Sequence, residues 1–204
     1  MKQLVAQAIV FTVLVAVTGF FVWLIRGRRS SLRAGREALE SLAAELGTTY
    51  QASSQPRVEG ALAGRRCRLL QTHRPASNDD TPFVHIEIAC EAEATFELYR
   101  SKTGLVRIDP PDLVRTGDAE FDLQLEVRSS DAARAKAVLT DELRRQLLDW
   151  FRHGWVDSFR LKDRQLLIDG GFGFREEVEV QRARTLLLAG VEIAEGFEGR
   201  SSAG

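Results

Sequence analysis

Residues Phe121–Arg128 read FDLQLEVR, an unbroken alternation of apolar and polar side chains. Successive side chains of a strand point to opposite faces, so this period sets Phe121, Leu123, Leu125 and Val127 against Asp122, Gln124, Glu126 and Arg128. A strand with one apolar and one polar side belongs to an antiparallel sheet whose one face meets a core and whose other face meets water. The spacing predicts a strand here, with the four apolar residues buried and Gln124 and Glu126 facing outward or onto a partner.

The chain upstream repeats the pattern. In Phe83–Cys90, Val84, Ile86, Ile88 and Cys90 oppose His85 and Glu87, and in Thr95–Arg100 Phe96 and Leu98 share a side. Val58–Leu62 and Arg66–Thr72 flank Ala63-Gly64, a hairpin signal. Thr48–Ala52 and Leu105–Ile108 are shorter candidates, the second stopped by Asp109-Pro110-Pro111, and Arg74–Pro82 reads as a polar loop.

Downstream the period becomes helical. Ser129 or Ser130 can cap a helix whose stripe is Ala135, Leu139, Leu143, Leu147 and Phe151, with Thr140-Asp141-Glu142 as a second cap that splits it. Ser158–Leu161 and Gln165–Asp169 form a second hairpin about Lys162-Asp163-Arg164, and Glu176–Glu195 reads as a last amphipathic helix. Upstream of all the strands, Leu32, Leu39, Leu42, Ala43 and Leu46 share one helix side, and Gly47 supplies the stop.

The beginning of the chain has a different character. Leu4–Ile25 reads LVAQAIVFTVLVAVTGFFVWLI, 22 residues without a charge. As a helix it covers roughly 33 Å, against a hydrocarbon core of about 30 Å. Arg26, Arg28, Arg29, Arg33 and Arg36 follow it, and the positive-inside rule puts that side in the cytoplasm. The expected fold class is therefore α+β: an N-terminal single transmembrane helix, then an antiparallel β-sheet domain with helices packed on one face. The expected division is an anchor with its basic flank at 1–30, a juxtamembrane helix at 31–47, the domain at 48–196 and a flexible tail at 197–204.

Thr116–Leu148 carries a resemblance. Thr116, Gly117, Asp118, Phe121 and Asp122, then Val127, Ser129 with Asp131, and Leu139-Thr140 with Glu142-Leu143 match a T-G-D-x-x-F-D … S-x-D … L-T-x-E-L block. That block resembles an uncharacterised, membrane-associated bacterial family, whose likeness extends to Phe159 and Leu166–Ile168. The family commonly has Pro where Asp141 stands, which implies a helix start. The resemblance implies fold and envelope association, and no residue role.

The whole chain has 28 Lys+Arg and 29 Asp+Glu, and the arginine cluster at 26–36 holds five of the bases and no acid, so the part after it is acidic. Phosphate binding needs a basic footprint, so nucleic acid is not an expected partner. Two Cys and three His exclude a disulfide scaffold and a Cys-rich zinc module. Cys67 and Cys90 are expected as buried reduced thiols in a cytoplasmic domain, with a bridge open to them in a periplasmic one. His73, His85 and His153 are scattered and expected at the surface. Asp118 is expected to bond turn amides while Asp122 faces water.

Gly170-Gly171-Phe172-Gly173 lacks the ending of a phosphate loop, and Glu176, Glu177 and Glu179 at the helix start would repel an anion. Trp150, Phe151 and Trp155 cluster at a helix end, where packing and a partner surface are both open readings. No catalytic, metal or cofactor residue is expected.

The functional expectation is a non-catalytic, single-pass protein of the bacterial inner membrane, an accessory or stabilising subunit of a larger membrane complex. Its candidate partner or lipid contacts are Arg26, Arg28, Arg29, Arg33, Arg36, Trp150 and Trp155, and its expected partners are the lipid bilayer and other membrane proteins. The alternative is a membrane-anchored enzyme or ligand-binding domain whose site is assembled from residues distant in sequence.

Overall fold

The computed structural model describes residues 33–48, 50–51, 56–73, 82–101, 111–174 and 176–199. A helix covers residues 33–45 (α1). Strands β1 (Arg57–Leu62), β2 (Arg65–His73), β3 (Pro82–Ala89), β4 (Phe96–Arg100) and β5 (Leu113–Val114) follow. Then come helix α2 (Ala119–Gln124), strand β6 (Leu125–Ser129), and helices α3 (Ala132–Val138) and α4 (Asp141–Arg152). The hairpin β7 (Ser158–Lys162) and β8 (Gln165–Gly170) and the long helix α5 (Glu177–Glu198) complete the chain.

The strands form one eight-stranded sheet in the order β1-β2-β3-β8-β7-β4-β6-β5, with every pair antiparallel. The β7–β8 hairpin is thus inserted between β3 and β4, strands that precede it by some 60 residues or more. Both tight hairpins turn on left-handed residues, Ala63-Gly64 in one and Asp163-Arg164 in the other, as the twist of two-residue loops demands.

The register explains where the core lies. Val58, Leu69, Ile86, Ile168, Phe159, Leu98, Val127 and Val114 are successive pairing partners, one apolar row across all eight strands. Each is buried. The helices cover that face. Gly190 of α5 is so close to the sheet that a Cβ there would lie 2.4 Å from Ile88 Cδ1 and 2.7 Å from Ile168 Cδ1. α1 buries Leu39, Leu42 and Ala43, and Leu46, buried just past its end, meets β1, where its O accepts from Ala61 N at 3.0 Å. Phe151 of α4 lies 6.4 Å from Phe159, ring centre to ring centre.

The expected fold class is corrected here. Among the described residues, no helix is long and apolar enough to cross a membrane. The stretch Leu4–Ile25 lies outside the described residues, as do Arg26, Arg28 and Arg29 and the strand expected at Leu105–Ile108.

FDLQLEVR is also corrected: it divides into the end of α2 and most of β6. Asp118 caps α2 by accepting from Glu120 N and Phe121 N, both at 3.1 Å. Asp122, expected toward water, instead accepts from Thr116 N, Thr116 Oγ1 and Gly117 N at 3.0, 2.9 and 3.1 Å. Asp122 thus closes the Thr116-Gly117 turn while Asp118 caps the first amides of α2, and together they start a helix where the apolar period suggested a strand. In a helix Phe121 and Leu125 still share a side, four residues apart, but Leu123 points away. Phe121 and Leu125 are buried while Leu123 is 68% exposed.

The segment after Ser130 divides into two helices at the Thr140 cap, as its signal indicated, while Asp131 rather than Ser129 or Ser130 caps the first. One end shifts further. The C-terminal helix runs to Glu198 and ends on left-handed Gly199, so Phe197 and Glu198 are not tail residues. Phe197 packs at 5.0 Å, centre to centre, on Phe96.

Candidate functional site

The opposite face of the sheet carries the polar side chains, and every described helix–sheet contact named above lies on the apolar face. Its central row of pairing partners runs Glu59, Arg68, Glu87, Leu167, Arg160, Glu97, Arg128. Beside it runs a second row of Arg57, Leu70, His85, Asp169, Ser158, Tyr99 and Glu126. Cross-strand neighbours of opposite charge stabilise a sheet. Arg68 Nε accordingly stands 2.8 Å from Glu59 Oε1, and its Nη1 stands 3.4 Å from Glu87 Oε2.

Asp169 is the hub of the second row. Only 7% of it is exposed. Its carboxylate accepts from His85 Nδ1 at 2.7 Å, Ser158 Oγ at 3.0 Å and Arg160 Nη2 at 2.6 Å. Burial alone would raise its pKa, but the bonds from His85 and Ser158 and the charge of Arg160 outweigh burial and hold it below the ordinary carboxylate value. Toward the other edge, Glu126, expected outward, is 4% exposed and accepts from the Tyr99 hydroxyl and from Arg128 Nη2 at 2.7 Å. Arg128 also lies 5.7 Å from the Tyr99 ring centre.

Ser, His and Asp meet here, but not as an activated nucleophile. That chemistry needs the hydroxyl on the imidazole and the imidazole on the carboxylate. Ser158 and His85 instead both address Asp169. The two cysteines are free, buried, and pushed up in pKa chiefly by that burial, so they rest as thiols. Among the described residues no group of His, Cys, Asp and Glu is placed to hold a metal ion. At the β1–β3 end of the polar face a groove of about 340 Å³ is walled by Arg57, Glu59, Arg66, Arg68, Glu87 and Gln165.

The candidate contacts read from the sequence that lie among the described residues fall elsewhere. Arg33 and Arg36 are exposed on α1 and paired within it, to Glu37 at 2.8 Å and Glu40 at 2.9 Å. Trp150 is a core residue of α4, 5% exposed. Trp155 is partly buried, with the Arg182 guanidinium 4.8 Å from its ring centre. None of these joins the polar face. What sequence reasoning missed was Asp169 with Ser158 and Arg160. Their only signal is a lone acid closing the apolar strand QLLID, and its meaning depends on β8 pairing with β3. His85, expected at the surface, is half-buried against it.

Asp169→Asn should cost about 1.5–3 kcal/mol at neutral pH, the range for a buried bond to a charged group. A depressed carboxylate contributes fully above its ordinary pKa, and that contribution is lost as pH falls through the folded-state value. The stability gap between wild type and variant should therefore narrow below about pH 4. Denaturant titrations at pH 7 and pH 3 measure it; an equal gap at both would remove the carboxylate from the ledger.

No protein-family model matches the chain, and no curated protein matches it. Among solved structures, it is similar to the crystal structure of the mycobacterial trehalose monomycolate transport factor A, TtfA. The identity is 12% and the TM-score 0.44, over 85% of this chain and 96% of that one. A likeness of that size decides neither fold nor function.

Proposed function

We propose that this chain is a non-catalytic accessory subunit that docks a protein partner through the polar face of its sheet, which no described helix covers. The observation that carries the reading is the asymmetry of the sheet. All its strands are paired, one face lies under helices, and the other holds an ordered lattice of ion pairs. Side chains already fixed by neighbours lose little freedom on binding, and an alternating charge pattern selects a complementary partner. The mixed signs disfavour nucleic acid, which calls for a one-signed basic surface. A hub carboxylate held by three donors, with no nucleophile on the imidazole, is suited to shape rather than to turnover.

The test is photo-crosslinking in the native cell. Probes at Glu97 and Arg160 sample the polar face, and probes at Val178 and Leu188 sample exposed sites on α5. Discrete protein adducts from the first pair alone are the expected result. Adducts from the α5 probes alone would overturn the reading.

A further inference from the structure

We infer that the partner on this face is a second copy of the same chain, an assignment that rests on the docking reading above. The charges of the central row are antisymmetric about Leu167. Reading outward from it in both directions, Glu87 is matched by Arg160, Arg68 by Glu97, and Glu59 by Arg128. A two-fold axis parallel to the strands, passing above β8, lays one face on another with the row reversed. Every acid of one copy then faces a base of its partner, and Leu167 faces Leu167. An isologous interface requires this self-complementarity.

Neighbour pairing along this row alone does not require it: the order Glu-Arg-Glu-Leu-Glu-Arg-Glu would alternate as well, yet it would put like charges face to face between copies. The bases at 160 and 128 also hold Asp169 and Glu126 of their own copy, so they serve both rows. The second row follows the same axis. Arg57 falls over Glu126, which is 4% exposed and held by Tyr99 and Arg128 of its own copy, Leu70 falls over Tyr99, and His85 over Ser158. Asp169 lies on the axis, but it is 7% exposed and turned to its own three donors.

The seven matched strands, β1 through β6 in sheet order, span roughly 29 Å at about 4.8 Å per strand. With about 17 Å of strand length the footprint is on the order of 500 Å² per copy before side-chain relief. Two copies together bury about 1,000 Å², below the standard interface and in the range of weak, reversible contacts.

The experiment mixes two charge-reversed variants of the full chain, Glu97→Arg and Arg68→Glu, in density-matched mild detergent. Alone, each variant sets two like-charged contacts in its own dimer. Together they restore both contacts in a mixed dimer. Sedimentation across a concentration series should show wild-type dimer, at least tenfold weaker self-association of each variant, and recovery on mixing. Salt should weaken the wild-type dimer.

If Arg68→Glu does not fold, Glu59→Arg and Arg128→Glu give the same mixed design. A wild-type dimer that both variants preserve, or that mixing does not recover, overturns this axis. A wild-type monomer throughout overturns self-association. In that case, crosslinks from Glu97 and Arg160 to a different protein leave the docking reading standing, and their absence ends both.

Discussion

Replacing Arg65 with Met should destabilise the protein by about 3–5 kcal/mol, because it strands a buried carboxylate. Arg65 begins β2, and Glu198 ends α5. The guanidinium grips the carboxylate with two bonds, Nη1 to Oε1 at 2.6 Å and Nη2 to Oε2 at 2.7 Å. The two side chains are 7% and 5% exposed. Glu198 Oε1 also accepts from Glu91 N at 2.6 Å, so one carboxylate joins the first hairpin, the last helix and the chain leaving β3. The bond to Glu198 outweighs desolvation and raises the Arg65 pKa above its already high value, so deprotonation cannot relieve the site.

Removing one member of such a pair costs more than the pair is worth, since the other keeps its desolvation penalty. Arg65→Met with Glu198→Met should therefore lose much less than the sum of the single changes. Denaturant unfolding followed by tryptophan fluorescence supplies the cycle. Additive losses would show that the two groups act separately.

Local pattern carried further in this sequence than long-range pairing did. The side of α1 that carries Leu39, Leu42 and Ala43, with Leu46 just past its end, and its stop at Gly47, follow from spacing and from one left-handed residue. The alternation in Phe83–Cys90 and the hairpins at Ala63-Gly64 and Asp163-Arg164 are local in the same sense. Insertion of β7–β8 between β3 and β4 is not, because nothing in either strand names its neighbour. The polar site was hidden for that reason. His85 and Asp169 are 84 residues apart and meet only through the β3–β8 register.

Trp150 shows the converse limit. An aromatic at a helix end suits a core and an interface equally by sequence, and the packing of α4 puts it in the core. The extension of α5 to Glu198 had its signal in Arg65, a partner too distant in sequence to be matched by pattern.

Phe121→Ala should cost about 3–5 kcal/mol, while Leu123→Ala should change stability by less than about 0.5 kcal/mol. A strand over Phe121–Arg128 would put both side chains on its buried face, so the pair of variants tests the helix directly. Phe121 is fully buried in the one turn and a half of α2, and Leu123 is 68% exposed. Removing the ring leaves a cavity in a short helix that α4 packs against, and so short a helix has little propensity of its own to hold it. Leu123 makes no comparable burial, and Ala is the better helix former at its site.

The Asp118 and Asp122 bonds that set this geometry are independent of both substitutions, so the two variants share the same caps. The contrast therefore reads burial alone. Thermal or denaturant unfolding of the two variants beside wild type decides the point, and comparable losses for both would restore the strand register over Phe121–Arg128.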